Sequence, residues 1–354
     1  MSSKFKLYNA RGNKYFVATP YQIRKFLGAF PTTADAAASL FHDNSWASKL
    51  VDLVCLDQRA ATQVNRTGGK EYLSNGLLIG PFRSGADLGM LIVNTNGDLA
   101  ELSGNGLTIF SQFLVDKRKV DKRKKDGSAK FLVRVYHNQS EPIEVQIEPT
   151  TLEGKRGFWI NMPIPAYGPE AVQASLDCVA ISELNGRDIS RVLALETIDA
   201  TWTHSQFVKV GNPHCVTFLE SKESLSFADN DSSVLEEKGE SDLCKSLKDI
   251  AYNSLVGDYL GKGEPCEPGI NLQWAVPEGP DRIHARVFER GERWTKSSGS
   301  SATAVACAAR HLGLVTEAIV IVEMSGGPLP VRFDERDGHV ERVLYFGEAQ
   351  ECFV

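Results

Sequence analysis

No two cysteines in the chain are spaced as Cys-x-x-Cys, and the seven present are odd in number and scattered. A disulfide framework and a zinc site are excluded on spacing, and a reducing, cytoplasmic setting is expected. No run approaches the ~18 apolar residues that would span a bilayer. The opening "MSSKFKLYNARG" lacks the apolar stretch of a signal peptide, so neither export nor membrane association is expected. A basic excess is missing too: 39 Lys and Arg stand against 45 Asp and Glu, a formal net charge of -6. Nucleic acid is therefore not the expected partner; a small molecule is. The one basic run, Lys117 to Lys130, is interrupted by Asp121 and Asp126 and reads as a solvated helix end and loop. No lysine motif for pyridoxal phosphate, metal-ligand cluster, Walker loop or dinucleotide fingerprint occurs, and neither cofactor nor metal is expected.

What is present fills two domains, since single cores stop growing near ~250 to 300 residues and this chain has 354. Short β-branched or aromatic runs recur, among them "GMLIVN", "FLVRVY", "CVTFL", "NLQWAV", "IHARVFE" and "AIVIVEM". Turn signals such as Asn96-Gly97 and Asp337-Gly338 space them. Helical periodicity shows twice, after Gly106 and after Ser301. The second helix is rich in alanine, which lets other elements approach on every side. The expected class is α+β, with a largely antiparallel sheet around a central helix in each domain. Proline, glycine and charge near residue 149 place the boundary there, giving domains 1–148 plus 338–354 and 149–337. Residues 220 to 263 turn polar and acidic and read as helical insertions on the second domain.

The two helix starts share a design, Ser103-Gly104-Asn105-Gly106 and Ser298-Gly299-Ser300-Ser301, as a duplicated unit would. A glycine-rich turn opening a helix presents unpaired N–H groups and about half a positive charge, a place for an anion. Two such turns could hold one carboxylate, with their serine hydroxyls flanking the carbon beside it. The plain alternative is that each serine is an N-cap.

The quoted stretches, in their order, resemble those of the diaminopimelate epimerase family, cofactor-independent amino acid epimerases of two pseudo-symmetric domains. "RGNKYFV", "VNTNGDLAELSGNG", "VGNPHCV", "PGIN", "VFERGERWTKSSGSSA" and "SGGPLPVRF" carry the resemblance across nearly the whole chain. It implies a carboxylate cradle from the backbone N–H groups of Asn105, Gly106, Gly299 and Ser300, with Gly104 in the same turn. It also implies α-amino contacts at Asn94 and Glu289 and distal polar contacts at Asn13, Asn212, Asn271 and Arg290. The family often pairs into homodimers.

Where the family has its two catalytic cysteines this chain has Ser103 and Ser298. A thiol of pKa ~8.5 ionises far more readily than a hydroxyl, which needs an adjacent base. His214, titrating near neutrality, and Glu289, tuned by burial, are the candidate helpers; alternatively His214 holds a turn and Glu289 an amine. Cys215 and Cys307 read as core. Lys14, Asn75, Leu107, Thr108 and the pair Arg293-Trp294 also depart from the family pattern, and are expected to flank the pocket and alter substrate choice. The leading expectation is an isomerase or epimerase acting at the α-carbon of an amino acid with a polar distal end. The alternatives are a proton-shift isomerase of the phenazine-pathway type and a catalytically silent amino acid binder.

Overall fold

The computed structural model describes residues 5–41, 44–56, 72–84, 87–120, 130–137, 141–238, 240–252, 264–267, 269–290 and 292–352. The chain divides into two compact units, Met1–Asn161 with Phe346–Val354 and Met162–Tyr345. The stretch around residue 149 is the arm of a hairpin whose turn, Glu153-Gly154, has φ of 48° and 80°. Such paired left-handed residues match the twist of the flanking strands; the punctuation there marks a tight turn, and the chain changes units after Asn161.

The first unit runs β1 (Lys6–Ala10), β2 (Asn13–Ala18), α1 (Pro20–Leu27), α2 (Ala34–Leu40), α3 (Asn44–Cys55), β3 (Gly76–Ser84), β4 (Asp87–Asn94), α4 (Gly104–Asp116), β5 (Phe131–Val135), β6 (Ile143–Leu152) and β7 (Lys155–Met162). The terminal strand Gln350–Cys352 returns to pair β1. Along β1 to β7 the neighbours pair antiparallel, parallel, antiparallel, parallel, antiparallel, antiparallel. Leu7, Phe16, Leu77, Ile79, Leu91 and Val93 form one core with residues of α1, α2 and α3. The alternate residues Tyr8, Val17, Leu78 and Ile92 are buried as well, because α4 covers the opposite face. Cover on both faces explains why these strands read as continuous apolar runs.

The second unit runs β8 (Ala166–Tyr167), β9 (Val179–Leu184), β10 (Arg187–Val192), α5 (Leu193–Ile198), β11 (Ser205–Val210), β12 (Asn212–Phe218), α6 (Ser226–Lys238), α7 (Asp242–Ala251), β13 (Asn271–Pro277), β14 (Arg282–Glu289), β15 (Arg293–Thr295), α8 (Gly299–His311), β16 (Ile319–Met324), β17 (Gly327–Arg336) and β18 (His339–Gly347). Along β11, β12, β13, β14, β16, β17 and β18 the same order of pairings recurs, antiparallel and parallel in the same places. The sheets are thus mostly antiparallel, as expected, with two parallel pairs in each unit. The first helix of the acidic insertion, α6, and the second, α7, cover the face built on Phe207, Cys215, Leu272, Trp274 and Phe288. On the other face α8 packs against β11, β12, β13, β14, β16 and β17, and every residue from Gly299 to Ala309 is buried. Residues 121–129 of the basic run and 253–263 lie outside the described residues.

Candidate functional site

Each unit carries one helix mouth, and the two are built alike. Ser103 caps α4 with φ -140° and ψ 116°, its Oγ accepting from the Gly106 N–H; Ser298 caps α8 with φ -143° and ψ 120°, its Oγ accepting from the Ser301 N–H. One turn on, Thr108 Oγ1 donates to the Gly104 carbonyl and Thr303 Oγ1 to that of Gly299. Both helices have 13 residues. Both serines therefore are N-caps, and the helices start at Gly104 and Gly299. Asn105, Ser298 and Ser300 are nearly enclosed, at 5 to 6% exposure.

Strand register assembles the rest of the second mouth. His214 of β12 lies opposite Asn271 of β13, and Asn271 adjoins the Leu272–Phe288 pair, which brings Glu289 of β14 alongside. His214, Asn271 and Glu289 so form a row across three strands on the face that α8 covers. Ser298 Oγ donates to Glu289 Oε1 at 2.6 Å, and Thr295 Oγ1 donates to Oε2 at 2.7 Å. Burial pushes the Glu289 carboxyl above the ordinary carboxylate range, against the opposing pull of these two hydroxyl donors. Each carboxyl oxygen is held by one hydroxyl, so the group is fixed in orientation and tuned toward exchanging a proton nearer neutrality.

His214 corrects an expectation. It is fully buried, and Gln273 Nε2 lies 3.0 Å from its Nδ1. Burial, reinforced by the charge of Arg290, lowers its pKa to about 3. The imidazole stays neutral through the physiological range and does not titrate near neutrality. Asn271 also does structural work, its Oδ1 accepting from the Arg290 N–H at 2.8 Å. Asn212 opens β12 directly after Gly211, whose φ is 70°.

The first mouth has a matching row, Tyr15, Gly76 and Asn94, on β2, β3 and β4, with Asn13 opening β2 after Gly12 at φ 96°. Asn94 precedes Ser103 by the interval that separates Glu289 from Ser298, but among the described residues its side chain makes no hydrogen bond. Asn75 Oδ1 accepts from the Lys14 N–H at 2.9 Å, and Leu107 and Thr108 are fully buried in α4.

Trp294 is a second correction, since it packs, partly buried, against the core. Its ring lies 5.2 Å from that of Phe288 and 5.5 Å from that of Trp274, and its Nε1 donates to Asp231 Oδ2 at 2.6 Å. Arg293 holds φ 63°, a left-handed conformation that glycine adopts without strain. Cys215 and Cys307 are buried, as expected, and burial pushes the Cys215 thiol up to about 12. Sequence reasoning missed Thr295, Gln273 and Ser301; a lone glutamine inside the apolar run "NLQWAV" was the legible sign of a buried polar contact. Among the described residues no three His, Cys, Asp or Glu side chains group as metal ligands, and no helix is long and apolar enough to cross a membrane.

No family model matches the chain. Over 344 residues, 95% of this chain and 90% of the relative, it is 26% identical to diaminopimelate epimerase 2 of Nostoc sp.. The chain is related to the diaminopimelate epimerases. Further relatives, from Synechococcus and Picosynechococcus, carry the same name at 28% and 26% identity. Two solved structures share the fold of this epimerase relative. One is a probable proline racemase from Agrobacterium radiobacter with bound carbonate, at TM-score 0.57 and 11% identity, covering 99% of this chain and 92% of that one. The other is a Bacillus anthracis phenazine biosynthesis protein of the PhzF family, at TM-score 0.54 and 11% identity, covering 99% and 98%.

Proposed function

We propose that this protein is a cofactor-independent isomerase that moves a proton at the carbon beside the carboxylate of an amino acid with a polar distal end. The relationship to epimerases supports the reaction class, and one observation carries the assignment of the proton-moving group: the 2.6 Å hydrogen bond from Ser298 to Glu289. In this reading the N–H groups of Gly299 and Ser300 receive the carboxylate, helped by the positive end of α8. Asn212 and Arg290 of the same unit reach the distal end. Glu289 takes the α-proton, the electron pair moves into the carboxylate, and the helix N–H groups stabilise the developing charge. Ser298 and Thr295 hold the base. Serine itself does not serve unassisted, because its hydroxyl is a weaker acid than even a phenol of pKa ~10 and yields almost no alkoxide near neutral pH.

The test is deuterium wash-in at the α-carbon in heavy water, over a panel of amino acids that includes diaminopimelate. Exchange is expected with at least one, and Glu289→Gln is expected to slow it by a factor of roughly 10² or more. No exchange with an amino acid that measurably raises the melting temperature would make the protein a binder instead.

A further inference from the structure

β15 is three residues long and does different work on its two faces. Successive side chains of a strand point to opposite faces. Thr295 turns to the Glu289 carboxyl, donating to Oε2 at 2.7 Å, while Trp294 turns away into the aromatic packing that α6 and α7 cover. There Trp294 Nε1 donates to Asp231 Oδ2 at 2.6 Å. Asp231, on α6, is buried at 6% exposure, and its other oxygen accepts from the Ser241 hydroxyl. Ser241 in turn caps α7, its Oγ accepting from the Cys244 N–H at 2.9 Å. A second tie runs beside the first: Glu240 Oε1 accepts from Lys248 Nζ of α7 at 2.9 Å and lies 3.7 Å from Arg293 Nη2 of β15. Apolar packing alone would seat two helices on this face. A buried carboxylate is an expensive addition to it, and what the carboxylate adds is direction, since it fixes the indole and with it the strand.

We infer that Asp231 is a positioning residue, acting through Trp294 and β15 to keep the Thr295 hydroxyl on the Glu289 carboxyl. The acidic insertion α6–α7 thereby belongs to the working parts of the site without meeting the substrate. This inference rests on the reading of Glu289 as the proton-moving group and adds what holds that group in tune. A hydroxyl donor favours the anionic carboxylate, so a β15 that has lost its tie to α6 withdraws the donor and leaves Glu289 holding its proton more tightly. Other charges around Glu289 do not take over this role. His214 of β12 is neutral, Asn271 of β13 is an amide, α8 opens with glycine and two serines, and Arg290 and Arg293 are not among the causes that move the Glu289 carboxyl.

Infrared titration of Glu289, read as the carboxyl band that Glu289→Gln lacks, tests this with no substrate present. Thr295→Val deletes the donor outright and is expected to raise the pH at which the band disappears by about one unit. Trp294→Phe keeps a ring in the packing and removes the indole N–H; it is expected to move the band the same way by roughly half a unit or more. The double variant is expected to go no further than Thr295→Val, because both changes act on one hydrogen bond. Asp231→Leu should match Trp294→Phe. Asp231→Asn should titrate as the natural protein does, since its amide oxygen still accepts from the indole and its NH2 can donate to Ser241. This Asp231 pair decides the matter by itself if Trp294→Phe does not fold. A purely structural Asp231 would lower the urea midpoint of these variants and leave the Glu289 titration unmoved; that result, or additive shifts in the double variant, would overturn the inference. Deuterium exchange is scored separately: no exchange with any bound amino acid, beside the expected infrared shifts, would overturn the proton-transfer reading and leave the positioning of Glu289 standing.

Discussion

Two side chains with opposite responses to burial define the second mouth. Glu289 is pushed up and His214 down, each toward its neutral form, but only Glu289 has hydroxyl donors on both oxygens. His214 makes a testable mark on stability. Its folded pKa of about 3 lies below its ordinary 6.5, so between those values the unfolded chain binds a proton that the folded one does not. Stability is then lost as pH falls through this window, by up to about 1.4 kcal/mol per pH unit for this one group. His214→Asn is expected to flatten the acid limb of a stability-against-pH curve by that slope; identical slopes would mean that the imidazole is protonated in the fold. At this scale the sequence was legible in residue type and not in partnership. The spacing brought out Ser298, and the family resemblance Glu289 and His214, but whether a hydroxyl meets a carboxylate depends on how β14 and β15 pair. Trp294 was misread because its partners Asp231 and Trp274 come from distant elements.

The helix mouth is held by close approach as much as by capping. A Cβ on Gly299 would stand 2.8 Å from Cζ of the fully buried Tyr345 ring, and a packed ring cannot yield that space cheaply. Gly299→Ala is expected to cost roughly 1 to 3 kcal/mol in urea unfolding, whereas an unchanged midpoint would mean that the mouth is looser than it stands here. Elements whose two faces are both covered were readable, since β4 and β13 are nearly continuous apolar runs. Not read were α1, although its Thr19 and Gln22 form a reciprocal capping box, and the β9–β10 hairpin. Its first strand has only exposed and partly buried residues and keeps Ile181 at 81% exposure, so it lacks the apolar run that betrays a buried strand.

For the whole molecule, the recurrence of one pairing order in both units and of one cap geometry at both mouths is what a duplicated sequence would give, and duplication leaves each copy free to change. One mouth here has a carboxylate bonded to its serine, and at the other the matching strand position is an amide. The difference between the mouths was visible as Asn94 against Glu289 and acquired meaning only once the hydrogen bonds were in place. The account stands on Glu289 being a carboxyl that keeps its proton above the ordinary carboxylate range, and infrared titration reads this without knowledge of the substrate. The protonated-carboxyl band that is present in the natural protein and absent from Glu289→Gln should disappear only above the usual glutamate pKa of ~4.3. A band that vanishes at or below that value would leave Glu289 an ordinary anion and contradict its role as the proton-moving group.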